Sequence, residues 1–458
     1  MTNFQLLPYQ IDAIEWCHMQ ESSCAILAYD MGLGKTIITC HLIMRKPLKT
    51  VILVPACVLK QWEDELQKHT SLNVMIYHGA NRRSLMKNLN LADIVITTSQ
   101  VFANDILHMN ENPIVHQFLH SIKRLVIDEA HQLRNSKCKV YQVLYQFLPN
   151  IQNKIFLTGT PICNSVTDII SLICLSNYTP YNTLDKWRHM RHDKRLLLLG
   201  EIMENVLLRK TKSSTVSFAL PKCNILNINL SLSTLGEQTQ VYKSCMHDKI
   251  ILRKILRMRQ SLNNHIHLLD DDIDEDNNVA IKISTVNKLI REIPQTDKII
   301  IFSYFTSLLS DLYENIDVPN KFESIQLYHG EMNVCKRNQI ISNFKSNDKA
   351  RILLINLRAG GSGLNLVEAN HVILMEPYWN NSEQEQAINR VHRMGQKKEV
   401  YIYKLNVENT IETWMCSLQK NKMSLFQLLI DNAKITIDEL EQQKTDLQNI
   451  FKQITIES

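Results

Sequence analysis

Short apolar runs alternate with helical stretches along most of this chain, in two separate blocks. The first block contains CAILAYD, TVILVPA, NVMIYHG, DIVITTS, RLVIDEA and KIFLTGT, each ending in a polar or glycine turn. The second block contains KIIIFSYF, SIQLYHG, ARILLINL, HVILMEPY and EVYIYKL. Apolar strands that alternate with helices are typical of parallel sheets covered on both faces. The pattern therefore predicts an α/β fold with two parallel-sheet units.

Between the two blocks the pattern changes and becomes mostly helical. This part contains two basic stretches, at 188–195 and 249–259. We expect residues 1–180 to form a first lobe, 181–285 a helical insert and 286–458 a second lobe that ends in helices. A length of 458 residues is sufficient for such a multi-domain chain.

Composition excludes several classes of protein. With 45% apolar and 21% charged residues, the chain is neither disordered, nor a coiled coil, nor collagen-like. The net charge of +5 is compatible with a polyanionic partner but does not establish one. The 11 cysteines form no CxxC pair and no zinc-like array, which favours free thiols in a reducing compartment. Neither a signal peptide nor an apolar run of membrane-spanning length is visible, so we expect an intracellular protein without a membrane partner.

A glycine-containing loop lies between the first predicted strand and the next helix. The chain has only 11 glycines, and most fall in a few short segments such as this one. Backbone N–H groups in such a loop, together with the N-terminus of the helix, bind phosphate. Lys35 is expected to reach the β- and γ-phosphates, and the hydroxyl of Thr36 to ligate Mg²⁺. The alternative is a plain strand–helix turn, and Tyr29 stands where the generic motif has its first glycine. The candidate phosphate-binding residues are Asp30, Met31, Gly32, Leu33, Gly34, Lys35 and Thr36.

A second motif, DEAH, ends the apolar run LVI at residues 125–127. Asp128 is expected to hold Mg²⁺, directly or through water, and Glu129 to polarise the attacking water. Alone, this motif could be a surface turn. Its place on a separate strand downstream of the phosphate loop favours a nucleotide-hydrolysing site.

Taken in order, these pieces resemble the Snf2 family of superfamily 2 helicase-like ATPases. The first half contributes LPYQIDAIEW, DMGLGKT, VPACVLKQWEDE, DIVITT, DEAH and LTGTPICN. The second half contributes LRMRQSLNNH, IIIFSYF, YHGEM, NLRAGGSGLNL and QEQAINRVHRMGQ. The stretch LMEPYWNNSEQEQAINRVHRMGQ most resembles the Rad5/Rad16-like branch, and the compact length resembles baculovirus global transactivators.

The resemblance implies two RecA-like lobes with ATP in the cleft between them, together with Mg²⁺. Gln10 stands at the family's adenine-reading position, and Gly363 lies in a glycine turn that couples nucleotide to nucleic acid. Arg390 and Arg393 are three residues apart on a predicted helix, and hence on one face of it. By this resemblance they act as arginine fingers on the transferring γ-phosphoryl group.

The same resemblance points to residues that contact DNA. Thr97 and Thr98 could bind backbone phosphate, although capping a strand end accounts for them equally well. Arg358 could contact phosphate or be solvated, and Trp379 is a further candidate for DNA contact. We expect Trp62 to be packed in the protein rather than stacked on a base. For the two basic stretches of the insert, a solvated helix face is the default and a grip on DNA is the alternative.

The predicted function is that of an ATP-driven double-stranded DNA translocase that remodels protein–DNA complexes in transcription, repair or chromatin. Its location would be the nucleus, or the host nucleus if the chain is viral. A strand-separating helicase is the alternative enzyme, although the QRxGRxGR-type spacing of RNA helicases is absent. A non-catalytic transcription scaffold is the third possibility, and the retained lysine, acidic and arginine residues of the motifs disfavour it.

Overall fold

The computed structural model describes most of the chain in two compact units, called here the first lobe and the second lobe. The first lobe comprises the described residues up to 215, and the second those from 220 onward. Arg358, Gly363, Trp379 and the terminal helices expected after residue 420 lie outside the described residues. The described ranges are 6–20, 24–79, 82–161, 166–212, 215, 220–232, 236–248, 250–264, 280–357, 364–378, 381–393, 395–417 and 419–420.

A seven-stranded parallel sheet forms the centre of the first lobe. Its strands are β1 (Cys24–Tyr29), β2 (Thr50–Leu53), β3 (Val74–Ile76), β4 (Ile94–Thr97), β5 (Arg124–Ile127), β6 (Asn153–Leu157) and β7 (Leu207–Lys210). Their order in the sheet is β3-β4-β2-β5-β6-β1-β7. Every residue of β1, β2, β4, β5 and β6 is buried, because helices cover both faces of the sheet.

The helices of the first lobe connect these strands. They are α1 (Pro8–Met19), α2 (Lys35–Arg45), α3 (Leu59–His69), α4 (Arg82–Leu85), α5 (Ser99–Leu107), α6 (Pro113–Ser121), α7 (Lys139–Phe147), α8 (Val166–Ser176), α9 (Leu184–Arg188) and α10 (His192–Val206). Short 3-10 turns occur at Ala56–Val58, Met86–Asn88, Met109–Glu111, Ala130–Leu133 and Leu148–Asn150.

Parallel register brings three loops of the first lobe to one edge of the sheet. β6 lies between β1 and β5, with Phe156 opposite both Ile26 and Ile127. The loops that follow these three strands contain the phosphate-binding motif, DEAH and TGT. The carboxyl edge of a parallel sheet is the usual place for a ligand in this class of fold.

The second lobe contains a six-stranded parallel sheet. Its strands are β8 (Cys223–Leu230), β9 (Ile299–Ser303), β10 (Ile325–Tyr328), β11 (Ile352–Asn356), β12 (His371–Leu374) and β13 (Val400–Val407), in the order β10-β11-β9-β12-β13-β8. Its helices are α11 (Glu237–Cys245), α12 (Ile251–Asn263), α13 (Ile281–Glu292), α14 (Thr306–Asn315), α15 (Lys321–Ser324), α16 (Val334–Ser346) and α17 (Asn381–Ile388). Residues 411–417 are also helical.

The two parallel sheets confirm the predicted α/β fold class. All the apolar runs of both blocks form strands, as expected. The stretch 181–285 contains helices, but it also supplies β7 to the first sheet and β8 to the second. The stretch was expected to be mostly helical, and the two strands, which complete sheets built from distant parts of the chain, were not predicted. The boundaries at 180 and 285 stay predictions.

Among the described residues, no helix is long and apolar enough to cross a lipid bilayer. Within the same ranges, no group of three or more His, Cys, Asp or Glu side chains is placed to hold a metal ion.

Candidate nucleotide-binding site

The phosphate loop joins β1 to α2, whose first residue is Lys35. Gly32 and Gly34 have φ values of +88° and +81°, in the left-handed region that favours glycine. A β-carbon at Gly34 would come within 2.4 Å of Gln10 Nε2. The backbone conformation therefore favours glycine here, and a side chain would also displace the Gln10 amide. The unpaired N–H groups of the first turn of α2 follow directly, and Thr36 lies in that turn.

Helix α1 is attached to this loop through two side chains. Gln10, only 1% exposed, accepts a hydrogen bond from Leu7 N at 3.0 Å. Its Nε2 donates to Leu33 O at 3.4 Å, and the Tyr9 hydroxyl donates to the same carbonyl at 3.2 Å. Gln10 thus anchors the loop to α1. Its expected role in reading adenine stays a prediction.

The amino group of Lys35 lies inside the loop. Its Nζ donates to the carbonyl oxygens of Tyr29 at 2.7 Å and Asp30 at 3.4 Å. Desolvation lowers the pKa of Lys35, and the nearby carboxylates of Glu129 and Asp128 act in the opposite direction. The loop carbonyls therefore hold the ammonium group of Lys35 in the phosphate loop, where a bound phosphate could replace them as its partner.

Asp128 follows β5 and is fixed by two donors. Its Oδ1 accepts the backbone N–H of Glu129 at 2.9 Å, and its Oδ2 accepts the indole N–H of Trp62 at 2.9 Å. Desolvation and the adjacent Glu129 carboxylate raise the pKa of Asp128 to about 6, while the bond from Trp62 and the charge of Lys35 lower it. Trp62 is only 2% exposed, so it is packed in the protein as expected. Its contact with Asp128 was not visible in the sequence.

Glu129 has a strained backbone and an unsatisfied carboxylate. Its φ of +49° is unusual for a residue with a side chain. Its Oε2 is shielded from solvent and has no hydrogen-bond partner among the described residues. His131 Nδ1 lies 3.3 Å from this oxygen, at ion-pair distance but without hydrogen-bond geometry, and 3.3 Å from Thr158 Oγ1. Thr158 Oγ1 in turn accepts from Thr160 N at 3.1 Å, so DEAH and TGT are in contact.

Arg209 is a site residue that the sequence interpretation missed. Its guanidinium lies 2.7 Å from Asp30 Oδ1 and donates to the carbonyls of Ala28 at 2.7 Å and Gly159 at 3.0 Å. Lys212 N donates to the other carboxylate oxygen of Asp30 at 3.0 Å. β7 therefore ties the phosphate loop to the loop after β6. The run LLRK has only two apolar residues and directly follows a helix, so its sequence alone does not predict a strand.

The two arginines of the second lobe lie in a turn, not on a helix as predicted. Helix α17 ends at Ile388, and residues 389–393 form turns. The Arg390 carbonyl accepts from Leu366 N at 3.0 Å, and Gln396 Nε2 donates to Val391 O at 3.2 Å. These bonds hold the turn against a neighbouring segment. The helix ends here because Arg390 N and Val391 N donate to carbonyls three residues back, at 3.1 and 3.0 Å, instead of four. Arg390 is 6% exposed, whereas Arg393 is only partly buried.

Both threonine hydroxyls proposed for DNA contact make bonds within the first lobe. Thr97 is 1% exposed and donates to Tyr77 O at 2.7 Å. Thr98 caps α5 by accepting from Val101 N at 3.3 Å. This geometry matches the alternative in which they stabilise the end of a strand. Their contact with DNA stays a prediction.

Comparisons with known proteins place the chain in a family. The family described as "SNF2-related domain" matches residues 9–340. The "Probable global transactivator" of Orgyia pseudotsugata multicapsid polyhedrosis virus is 26% identical over 95% of this chain and 93% of that protein. The "ISWI chromatin-remodeling complex ATPase ISW2" of Saccharomyces cerevisiae is 27% identical over 94% of this chain but only 41% of that protein.

Among solved structures, one that is similar is "Sulfolobus solfataricus SWI2/SNF2 ATPase core in complex with dsDNA". It is 27% identical, covers 95% of this chain and 96% of that chain, and has a TM-score of 0.41. At that TM-score the fold assignment rests on the two sheets described above. The Rad5/Rad16-like branch stays a prediction.

The family match extends over more than half of the chain and includes the phosphate loop, DEAH and TGT in one lobe. It confirms the resemblance drawn from the motifs and the class of enzyme expected from it, which implies use of a nucleotide. This chain belongs to the SNF2-related family and is a DNA-dependent ATPase of the Snf2 type.

Proposed function

We propose that this chain is an ATP-driven translocase on double-stranded DNA that remodels protein–DNA complexes in transcription, repair or chromatin. One observation carries the proposal: Lys35, Asp128 and the unsatisfied Glu129 carboxylate converge at the carboxyl edge of the first sheet. A chain selected only for binding has no need to keep a shielded carboxylate oxygen without a hydrogen bond, which costs free energy. The family membership and the names of the relatives support the choice of DNA.

ATP would bind through its phosphates at the phosphate loop. The N–H groups of residues 30–36 and the ammonium of Lys35 would neutralise the phosphate charge. Gln10 would contact the adenine, and Gly363 would contribute to nucleotide binding.

Mg²⁺ fits the donors at this edge, because carboxylate and hydroxyl oxygens are its preferred ligands. Thr36 and Asp128 would hold it, and the cation would offset the desolvation and the Glu129 charge that raise the pKa of Asp128. When bound, the cation would neutralise charge on the phosphates. Glu129 would orient a water for attack and accept its proton, with His131 beside the carboxylate.

The arginines of the second lobe would supply positive charge to the phosphoryl group in the transition state. Arg390 and Arg393 are presented by a turn that Gln396 stabilises, which would limit their rearrangement. DNA would be bound mainly through its backbone, with Thr97, Thr98, Arg358 and Trp379 as candidate contacts. The site of action would be the nucleus, or the host nucleus if the chain is viral.

The test is the ATPase rate of the full chain, measured with duplex DNA, single-stranded DNA and RNA in turn. Duplex DNA should stimulate the rate most, and the chain should displace the third strand of a triplex when ATP is present. The variants Lys35→Ala and Glu129→Gln should abolish both activities. Glu129→Gln keeps the size of the side chain and removes only its charge, so it separates loss of the base from loss of folding.

Equal phosphate release with and without duplex DNA would contradict the proposal. Robust strand separation on a forked duplex would instead favour a helicase. DNA binding without any phosphate release would favour a scaffold.

A further inference from the structure

A second concave site lies on the first lobe, with walls formed by three separate segments. The cavity has a volume of about 400 Å³ and opens to solvent. Arg134 and Lys137 come from the segment after DEAH, whereas Arg188 and Arg195 come from α9 and α10. Arg188 and Arg195 are the first and last residues of the basic stretch 188–195. No residue of this stretch takes part in ATP hydrolysis as proposed above. Leu184 and Trp187 add an apolar wall.

Much of the positive charge at this cavity is not paired with a carboxylate in the described part of the lobe. Among the described residues, no carboxylate forms an ion pair with Arg134, Lys137 or Arg195. The guanidinium of Arg195 donates to the carbonyls of Met190 at 2.9 Å and Arg188 at 3.5 Å, which leaves its charge unpaired. Its Nε is shielded from solvent and lacks a hydrogen-bond partner in the described part of the chain.

Negative charge at the cavity is limited. Asp168, in the first turn of α8, is the acidic residue among those lining it. Arg188 forms an ion pair of 3.1 Å with Asp185, and the Asp185 side chain is largely exposed. Four cations around one concavity repel one another, and an anion between them would relieve that repulsion. Arginine in particular offers several N–H donors that match the oxygens of a phosphate.

The cavity is also connected to the DEAH motif. Arg134 directly follows the turn Ala130–Leu133, and its N–H donates to His131 O at 3.3 Å. His131 in turn lies beside the carboxylate of Glu129. A ligand that moves Arg134 therefore acts on a segment that begins at the catalytic carboxylate.

We propose that this cavity is an anion site for a phosphoryl group, separate from the ATP site, and that its occupancy modulates ATP hydrolysis. The phosphoryl group belongs either to the DNA backbone or to a soluble phosphate compound. The assignment of the phosphoryl group to DNA rests on the proposed function. The existence of an anion site does not depend on that function.

The experiment compares two doubly substituted full-length chains with the unmodified chain. Arg134→Gln/Lys137→Gln removes two charges from the cavity. Arg45→Gln/Lys68→Gln removes two charges from exposed positions of the same lobe, where each is paired with a glutamate. If the first double variant is not folded, Lys137→Gln alone replaces it, because that side chain is exposed.

Binding is measured in two arms. In the first, a labelled short duplex is titrated at several salt concentrations. In the second, inorganic pyrophosphate is titrated by calorimetry in saturating ADP, which fills the phosphate loop. The cavity variant should bind the relevant anion about tenfold more weakly than the control variant. For DNA, the slope of log affinity against log salt should fall by about two.

Weakening in the duplex arm assigns the site to DNA backbone, and weakening in the pyrophosphate arm assigns it to a soluble phosphate. The same anion should change the ATPase rate of the control variant but not that of the cavity variant. Equal affinities of the two variants in both arms would overturn the proposal. An unmodified chain that lacks DNA-stimulated ATPase activity would overturn the proposed function instead, so the two failures are distinguishable.

Discussion

The indole N–H of Trp62 donates a hydrogen bond to Oδ2 of Asp128 over 2.9 Å. The two residues are 66 positions apart in the chain. They meet because β2 and β5 are neighbours, with Leu53 opposite Ile127, and α3 follows β2. Since this bond favours the charged form of the carboxylate, Trp62 helps to keep Asp128 ready to ligate a cation.

Replacing Trp62 by phenylalanine should raise the pKa of Asp128 further above its usual value. A hydrogen bond to a charged group stabilises the charged form by about 1.5–3 kcal/mol, and the variant loses this stabilisation. The acid limb of the pH–rate profile should therefore move to higher pH, and more Mg²⁺ should be needed for half-maximal activity. ATPase rates across pH and Mg²⁺ concentration measure both effects.

Trp187→Phe is a matched control, because Trp187 is also 2% exposed and donates to Tyr181 O at 2.9 Å. Both variants lose one buried hydrogen bond and should lose similar stability. Only Trp62→Phe should move the acid limb. Identical profiles for the two variants would show that the bond to Asp128 has no electrostatic effect on activity.

Asp128→Asn should stabilise the nucleotide-free chain while abolishing hydrolysis. Desolvation and Glu129 hold the pKa of Asp128 at about 6, above the ordinary value of 3.8. The folded state therefore binds the proton more tightly than the unfolded state, and stability falls as pH rises from about 4 to about 6. Removal of the charge should raise the free energy of unfolding by about 1–3 kcal/mol at neutral pH.

The measurement is chemical unfolding of the first lobe across pH, with a chelator present. The gain should shrink as pH falls through this window and vanish below it, where Asp128 is protonated in both states. A variant that is less stable than the unmodified chain at neutral pH would contradict the desolvation of this carboxylate.

Arg209→Ala should slow ATP hydrolysis although Arg209 lies in neither motif. Its guanidinium connects Asp30 and Ala28 with Gly159, so its loss should let the phosphate loop and the TGT loop move apart. A misplacement of about 1 Å costs up to about 100-fold in rate. We expect at least a tenfold fall in kcat, measured by steady-state kinetics.

Two further variants interpret that result. Arg209→Lys keeps the charge but not the several donors, and should restore only part of the rate. Arg45→Ala breaks an exposed ion pair with Glu15 in the same lobe and should leave the rate unchanged. Full activity of Arg209→Ala would show that β7 has no part in shaping the site.

The second lobe contains a fully buried ion pair whose stability effect can be tested. Lys282 Nζ lies 2.5 Å from Glu412 Oε1, with neither side chain exposed to solvent, and donates to Asn263 Oδ1 at 3.0 Å. Lys282→Met leaves a buried carboxylate without its cation and should cost about 3–5 kcal/mol. The double variant Lys282→Met/Glu412→Leu should recover most of this loss.

Chemical unfolding of the three chains provides the comparison. A double variant as unstable as the single one would mean that the pair itself, rather than the avoidance of an unpaired charge, stabilises the lobe.

Contiguous motifs were predictable from the sequence, whereas contacts between distant segments were not. The phosphate loop and DEAH each occupy adjacent residues at the end of a buried strand, so local pattern was sufficient to find them. Arg209 and Asp30 are 179 residues apart, and no local pattern indicates that β7 pairs with β1. Trp62 was correctly expected to be packed, but its partner depended on strand order.

The turn at Arg390 was missed for a related reason. QEQAINRVHR has helical spacing, but the bonds that hold the turn after the helix come from Leu366 and Gln396, outside this stretch. Likewise, β8 has eight residues, only the last of them buried, because it lies at the edge of its sheet. An edge strand carries a weaker apolar signal than a central one.

The left-handed backbone of Glu129 has an evolutionary consequence. Glycine would relax this conformation by about 1 kcal/mol but would remove the carboxylate. Selection for stability and selection for hydrolysis therefore oppose each other at a single position. In a descendant that no longer hydrolyses ATP, glycine or asparagine should replace Glu129 before the surrounding core changes. Such a replacement would therefore be an early sign that catalysis has been lost.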